Sequence, residues 1–221
     1  MSGTWVVIPV YNEASVIGSV IKQVKQVFPN VVCVIDGGTD NSAEEARKAG
    51  AVVVEHPINL GQGASLQTGF DYALSQPGLT EVVTFDADGQ HLVSDAKEMV
   101  DILRLEKLDI VIGSRFLDDR TKINFLKRAV LKTAAFWTKI TTRMALTDAH
   151  NGLRIISAGL LTKIHLHQNR MAHASELIDQ VAAENVRWKE YPTHIIYTDY
   201  SKAKGQSLLN AVNIVFELLF K

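Results

Sequence analysis

The sequence predicts an α/β protein built on a mostly parallel sheet with helices on both faces. Three observations lead there. Short β-branched apolar runs alternate with helix-length amphipathic stretches through the first half of the chain. The runs are apolar throughout, which marks strands covered on both faces rather than one. Turn residues, Gly50 and Pro77-Gly78 among them, fall in the gaps.

Taken in order, Thr4 to Val10 reads as a buried strand. Ser15 to Val27 follows as a helix with Val16, Val20, Val24 and Val27 on one stripe. Val31 to Ile35 is the next strand, Ser42 to Ala49 a short helix, and Ala51 to Val54 a third strand. A helix from Gly63 to Ser75, a strand from Glu81 to Phe85, a helix from Val93 to Leu105 and a strand from Asp109 to Ile112 continue the alternation. Past Arg115 the pattern changes to a long basic amphipathic stretch. Asn151-Gly152-Leu153-Arg154 then leads into a strand-like Ile155-Ile156. A helix near Ser175 to Glu184 precedes an extended Arg187 to Tyr197, and the apolar tail Ser207 to Phe220 reads as helical. No repeat, low-complexity segment or linker divides the 221 residues, so residues 1–221 are expected to form one domain.

Composition narrows the function classes. An apolar content of 47% excludes a disordered chain. Lys and Arg number 23 against 24 Asp and Glu, so no basic surplus argues for nucleic acid. Cys33 is the single cysteine; it excludes an intramolecular disulfide and reads as a small buried hydrophobe. There is no signal-peptide pattern, and no run reaches the roughly 18 apolar residues of a spanning helix. The expectation is a soluble cytoplasmic protein.

Ligands of such sheets bind beyond the carboxyl ends of the strands, and these ends are polar. The first runs into Pro9-Val10-Tyr11-Asn12-Glu13 and the second into Asp36-Gly37-Gly38-Thr39-Asp40-Asn41-Ser42. The strand at Glu81 to Phe85 runs into Asp86-Ala87-Asp88-Gly89-Gln90-His91, and the next into Gly113-Ser114-Arg115. Asp86 and Asp88 are carboxylates two residues apart past a buried strand, with Gln90 as a further oxygen donor. That set suits Mg²⁺ or Mn²⁺, which bridge readily to phosphates and neutralise a diphosphate leaving group. The same residues also make an ordinary turn. Asp36 offers an acceptor to a base or ribose, while its loop is equally a plain turn with Asp40 or Asn41 as N-cap. Asn59 to Ser65 opens a helix where Gly61 and Gly63 admit close backbone approach and the N-terminus favours an anion. Simple helix initiation is the competing reading.

Together these segments resemble the family 2 glycosyltransferases, whose nucleotide-diphospho-sugar transferase (GT-A) fold matches the expected sheet. The resemblance continues through Asp148, Gly152 and Arg154, Glu176, Glu190-Tyr191-Pro192 and Gly205-Gln206-Ser207, and so spans nearly the whole chain. The strings Asp86 to His91 and Tyr197 to Ser207 look most like the branch of dolichyl- and undecaprenyl-phosphate sugar synthases. By resemblance, Pro9, Tyr11, Glu13 and Asp36 would line the base and ribose pocket, and Asp86, Asp88 and Gln90 would hold the metal and donor diphosphate. Arg115 and Arg154 would take the acceptor phosphate, and Lys202 or Lys204 would close over the donor. Two departures stand out. Gly37 occupies the place where the family often has a second Asp, in a shortened loop, and the Gln-x-x-Arg-Trp signature of the processive branch is missing.

The resemblance implies an inverting transfer from a UDP-, GDP- or dTDP-sugar, with Mg²⁺ or Mn²⁺, to a polyprenyl phosphate. A phosphate acceptor is already substantially ionised at neutral pH and needs little help from a base. A glycan hydroxyl acceptor would need one, and Asp148, Glu176 and Asp179 are the candidates. A sugar nucleotidyltransferase is disfavoured because no glycine-rich basic loop follows the first strand. A nucleotide-binding subunit without activity is disfavoured by Asp86-Ala87-Asp88. Between Arg120 and Leu146 lie seven basic residues and no acidic one, with Trp137 on the apolar side. This segment, 120–146, reads as an interfacial helix on the inner face of the membrane, or else as a surface helix packed on the core. The apolar tail 207–220 is a second candidate contact. A small membrane partner protein and self-association stay open as further partners.

Overall fold

The computed structural model describes residues 2–118, 144–170 and 172–196. Its element order is β1 (Thr4–Val10), α1 (Ile17–Lys25), β2 (Asn30–Asp36), α2 (Ser42–Lys48), β3 (Val52–His56), α3 (Gln62–Leu74), β4 (Glu81–Thr84), α4 (Val93–Leu105), β5 (Ile110–Ser114), β6 (Arg154–Ser157), α5 (Ala158–Leu161), α6 (His173–Ala183) and β7 (Trp188–Pro192). The strands form one seven-stranded sheet in the order β3-β2-β1-β4-β6-β5-β7. Pairing is parallel except at β6, which runs antiparallel to β4 and β5. The α/β class and the mostly parallel sheet are as the sequence predicts.

Alternation along the strands divides the core in two. Val6, Ile8 and Val10 of β1, with Cys33 and Ile35 of β2, pack with Ile17, Ile21, Met99 and Val100 from α1 and α4. Val7, Val32, Ile110 and Ile112 point the other way, onto Leu66 and Phe70 of α3 and Leu177 and Ile178 of α6. This is why the strands read as unbroken apolar runs: both faces are covered. Cys33 is fully buried, as expected of a small hydrophobe, and burial pushes its thiol up to about 12.

The differences from the predicted elements have local causes. The first helix starts at Ile17 rather than Ser15, because the amides of Val16 and Ile17 both bond to Glu13 O and turn the chain first. The extended 187–197 resolves into β7 and, after Pro192, an isolated bridge from Ile195 to His91. Most of the basic segment 120–146 and all of the tail 207–220 lie outside the described residues. No helix among the described residues is long and apolar enough to cross a membrane.

Candidate active site

Because the strands are parallel, their carboxyl ends form one rim, and the antiparallel β6 brings its first residue, Arg154, to that rim as well. Two loops at the β1 and β2 ends are tied together. Asn12, at a positive φ of 54°, accepts from Thr39 N at 2.9 Å through Oδ1. Ser42 Oγ accepts from Glu13 N at 2.8 Å, and Asp40 accepts from Ala14 N at 2.9 Å and from Ser42 N at 3.0 Å. Tyr11 stands 49% exposed between them, while Glu13 is buried. Pro9 is half-buried within β1.

Asp36 closes β2 and is a hub. Its Oδ1 meets His56 Nδ1 at 2.9 Å and Leu60 N at 2.8 Å, and its Oδ2 accepts from Gly61 N at 2.7 Å. His56 Nε2 reaches Thr68 Oγ1 of α3 at 2.9 Å, so β2, β3 and α3 are joined through one buried carboxylate. His56 reads in the sequence as a bland histidine; only the fold brings its ring, twenty residues on, to Asp36. Gly37 has a φ of 64°, and a Cβ there would lie 2.2 Å from Ile58 C. The shortened loop therefore has room only for glycine at that position.

The start of α3 is corrected by the structure. Gly63 N donates to Asn169 O at 2.8 Å, and a Cβ on Gly63 would fall 2.0 Å from Gln168 O. The close approach that the glycine permits is to the protein's own backbone, so Gly63 N is not available to an anion. The 166–170 loop is held there by Glu176, whose carboxylate accepts from His167 N at 3.0 Å and Gln168 N at 2.8 Å. These bonds engage Glu176 in loop structure rather than as a base.

The centre of the rim is Asp86-Ala87-Asp88. Asp86 Oδ2 bonds to His91 Nε2 at 2.8 Å, and Gln62 Nε2 lies 3.3 Å from Oδ1. Burial works against its ionisation, but the hydrogen bond and charge of His91, with His173 and Arg154 behind, hold its carboxyl below the usual range. Asp88 behaves oppositely. Burial and then the neighbouring charge of Asp86 push it up to about 6, against the bond that Asp88 Oδ1 accepts from Gln90 N at 3.0 Å. Among the described residues no group of three or more His, Cys, Asp or Glu gathers around one point. Two crowded carboxylates with buried Gln90 beside them do fit a hard cation that takes its other oxygens from a diphosphate.

Beside this pair lies a cationic wall. Arg154 is 3% exposed; one guanidinium nitrogen donates to Ala149 O at 3.0 Å, and its Nε has no hydrogen-bond partner among the described residues. Burial depresses its guanidinium to about 10, against the charges of Asp86 and Asp148, so it stays charged at neutral pH. Arg115 forks onto Asp148 at 2.5 and 2.6 Å, and its own N–H adds a third bond at 3.1 Å. Burial opposes the charge of Asp148, but Arg115 holds its carboxyl low, and both oxygens are engaged. Asp148 is thus the counter-charge of Arg115 and a poor proton acceptor. Glu190 of β7 fixes the same loop, accepting from Thr147 N at 2.8 Å and Asp148 N at 3.1 Å. His150, also missed in the sequence, is held neutral here: burial and the charge of Arg154 lower it to about 4. Lys202 and Lys204 lie outside the described residues.

The sequence profile of "Glycosyl transferase family 2" matches residues 5–161, more than half of the chain and every strand end described above but β7. The protein belongs to this family. Among its relatives, an uncharacterized protein of Methanocaldococcus jannaschii, MJ1222, is 34% identical over 98% of this chain and 91% of its own. A UDP-N-acetylglucosamine–dolichyl-phosphate N-acetylglucosaminyltransferase of Methanococcus voltae is 27% identical over 97% of this chain and 94% of its own. A polyprenol monophosphomannose synthase of Mycolicibacterium smegmatis is 30% identical over 74% of this chain and 64% of its own. The branch suggested by Asp86 to His91 is therefore well represented among the relatives. The fold matches glucosyl-3-phosphoglycerate synthase of Mycobacterium tuberculosis, solved with Mn²⁺, UDP and phosphoglyceric acid. The TM-score is 0.72 at 16% identity, over 98% of this chain and 78% of that one. The protein is a family 2 glycosyltransferase.

Proposed function

We propose that this family 2 enzyme is an inverting, metal-dependent transferase that moves a sugar from a nucleoside diphosphate to a polyprenyl phosphate at the membrane surface. The observation that carries this reading is the composition of the rim beside Asp86. It holds two guanidinium charges, Arg154 buried behind Asp86 and Arg115 held by Asp148. The carboxylates best placed in sequence to serve as a base, Asp148 and Glu176, are engaged elsewhere. Such a wall suits an acceptor that arrives as an anion and needs no base. The names of the dolichyl-phosphate and polyprenol relatives support the same acceptor class.

In the proposed reaction a non-bridging oxygen of the acceptor phosphate attacks the anomeric carbon from the face opposite the leaving group. The new carbon–oxygen bond forms as the bond to the nucleoside diphosphate breaks, and the diphosphate leaves with the electron pair. No proton has to move when the phosphate enters as a dianion. Arg115 and Arg154 orient the acceptor oxygen, and their charges lower its repulsion from the donor diphosphate. Pro9, Tyr11, Glu13 and Asp36 are assigned to the nucleoside end, with Lys202 and Lys204 over the donor. Asp86, Asp88 and Gln90 would hold Mg²⁺ or Mn²⁺, which supplies positive charge to the leaving diphosphate. The basic pattern of 120–146 supports attachment to an anionic inner leaflet.

The test is a panel of UDP-, GDP- and dTDP-sugars with Mn²⁺ or Mg²⁺ and vesicles containing undecaprenyl phosphate. Glycolipid forming only with metal and lipid phosphate is the expected result. Transfer to a glycan hydroxyl, or donor binding with no lipid product in any combination, would overturn the acceptor assignment.

A further inference from the structure

From the packing around Asp86 we infer that His91 is a positioning residue that fixes this carboxylate by one oxygen and leaves only Oδ1 for a cation–diphosphate complex. The inference rests on the metal-dependent reading above. The His91 side chain is 3% exposed, and its Nε2 lies 2.8 Å from Asp86 Oδ2. An ionised carboxylate only accepts, so Nε2 carries the proton of this bond. Nδ1 is buried and has no hydrogen-bond partner among the described residues. A buried polar nitrogen left unpaired is unfavourable, and an apolar side chain would fill the same space without that cost. The bond to Asp86 is what the imidazole adds.

The ring is held in place for that one bond. It stands edge-on to Phe85, with centroids 5.5 Å apart and planes at 66°. The His91 backbone is bridged to Ile195, and Ile196 N donates to Gln90 O at 2.9 Å, which anchors the turn from the other side. Asp86 Oδ2 is confined from a second direction as well: a Cβ on Gly152 would lie 2.4 Å from it. Among the described residues, the hydrogen bond to Oδ1 is the long 3.3 Å one from Gln62 Nε2. Gly152 packs against the whole carboxylate, with a Cβ there also 2.9 Å from Oδ1, so it is the His91 bond that sets the two oxygens apart. On this inference Asp86 gives a cation Oδ1, the oxygen with the weaker bond, in an orientation that His91 sets before anything binds.

Partners that orient a metal's ligands are typically worth about 10–100-fold in affinity or activity. The test uses Mn²⁺ with UDP or GDP, read by Mn²⁺ electron paramagnetic resonance rather than turnover. His91→Leu keeps the volume and loses the donor, and should weaken Mn²⁺ binding about 10-fold or more while melting like the parent. His91→Gln places an N–H at similar reach and should restore most of the affinity. Gly152→Ala presses a methyl on the same carboxylate, turning it off the His91 bond, and should weaken Mn²⁺ binding with His91 intact, which carries the test should His91→Leu fail to fold. Unchanged Mn²⁺ affinity in folded His91→Leu, or in Gly152→Ala, would overturn the inference. Equal loss in the Leu and Gln variants would do the same. If the parent itself binds no Mn²⁺ with either nucleotide, it is the metal-dependent reading that fails.

Discussion

Asp148→Ala should destabilise the protein far more than a surface carboxylate would. The carboxylate is 1% exposed and makes two short bonds to the Arg115 guanidinium, whose side chain is 13% exposed, plus one to its backbone N–H. Removing one member of a buried pair leaves the other charge desolvated, at about 3–5 kcal/mol. Partial exposure of Arg115 places the expected loss near the lower end, ~3 kcal/mol. With a urea m-value of about 2–3 kcal/mol/M, the unfolding midpoint should fall by roughly 1 M. The double variant Arg115→Met/Asp148→Leu removes both charges and should recover most of that loss, since an apolar pair of similar volume is often neutral. Acid adds a second check. Arg115 holds the folded carboxyl of Asp148 below the ordinary value of about 3.9, so its contribution is complete above that pH. It is lost as pH falls through the depressed folded value, and the penalty of Asp148→Ala should shrink there. Urea titration of the three proteins at pH 7 and in acid decides the matter. A loss under about 1 kcal/mol for Asp148→Ala, or a double variant no more stable than Asp148→Ala, would refute the account of a buried ion pair.

Three other outcomes follow from the site. Asp88, raised to about 6 when folded against about 3.9 unfolded, holds its proton more tightly in the native state. Metal-free protein should therefore lose stability as pH rises from about 4 through 6, and both Asp88→Asn and saturating Mn²⁺ with UDP should flatten that fall; identical melting curves across these samples would count against it. Gly37→Asp restores the residue the family often carries, yet the φ of 64° and the Ile58 backbone should make it destabilising by more than about 1–2 kcal/mol, measured by thermal melting. The Cys33 thiol, fully buried and at about 12, should resist iodoacetamide at pH 8 in the native protein and react once urea unfolds it. Rapid labelling without urea would be inconsistent with its place in the core.

The first half of the fold was legible because its strands are buried on both faces and each is punctuated by turn residues. Val31 to Ile35 and Glu81 to Thr84 could be read within a residue or two for that reason. The antiparallel direction of β6 was not legible, since Ile155-Ile156 carries no mark of orientation. At the site, the strand-end carboxylates Asp36, Asp86 and Asp88 declared themselves by position. Their partners did not: His56 reaches Asp36, Asp148 takes Arg115, and the amides of His167 and Gln168 take Glu176. The spacings are 20, 33 and 8 to 9 residues, beyond any helical or strand period, so composition alone leaves each residue looking available. Gly63 misled for a related reason. A glycine at a helix start signals close approach, but not whether a ligand or the chain's own Gln168 carbonyl makes it.

The reversed strand β6 has a consequence for how this enzyme can diversify. A parallel crossover would deliver the chain to the far edge of the sheet, whereas here it leaves the rim after Ser114 and re-enters it at Arg154. The excursion is buckled shut at its base by Arg115 and Asp148, with Glu190 as a second fastening. Because the cost of closing a loop depends only weakly on its length, a connection fastened at its base in this way tolerates a change of length without disturbing the sheet. The residues assigned to the donor lie mostly on the first 91, ahead of this detour. On the proposed assignment, with Arg115 and Arg154 at the two ends of the detour, donor and acceptor preferences would be written on separable stretches of one polypeptide, free to drift independently while the sheet beneath them stays the same.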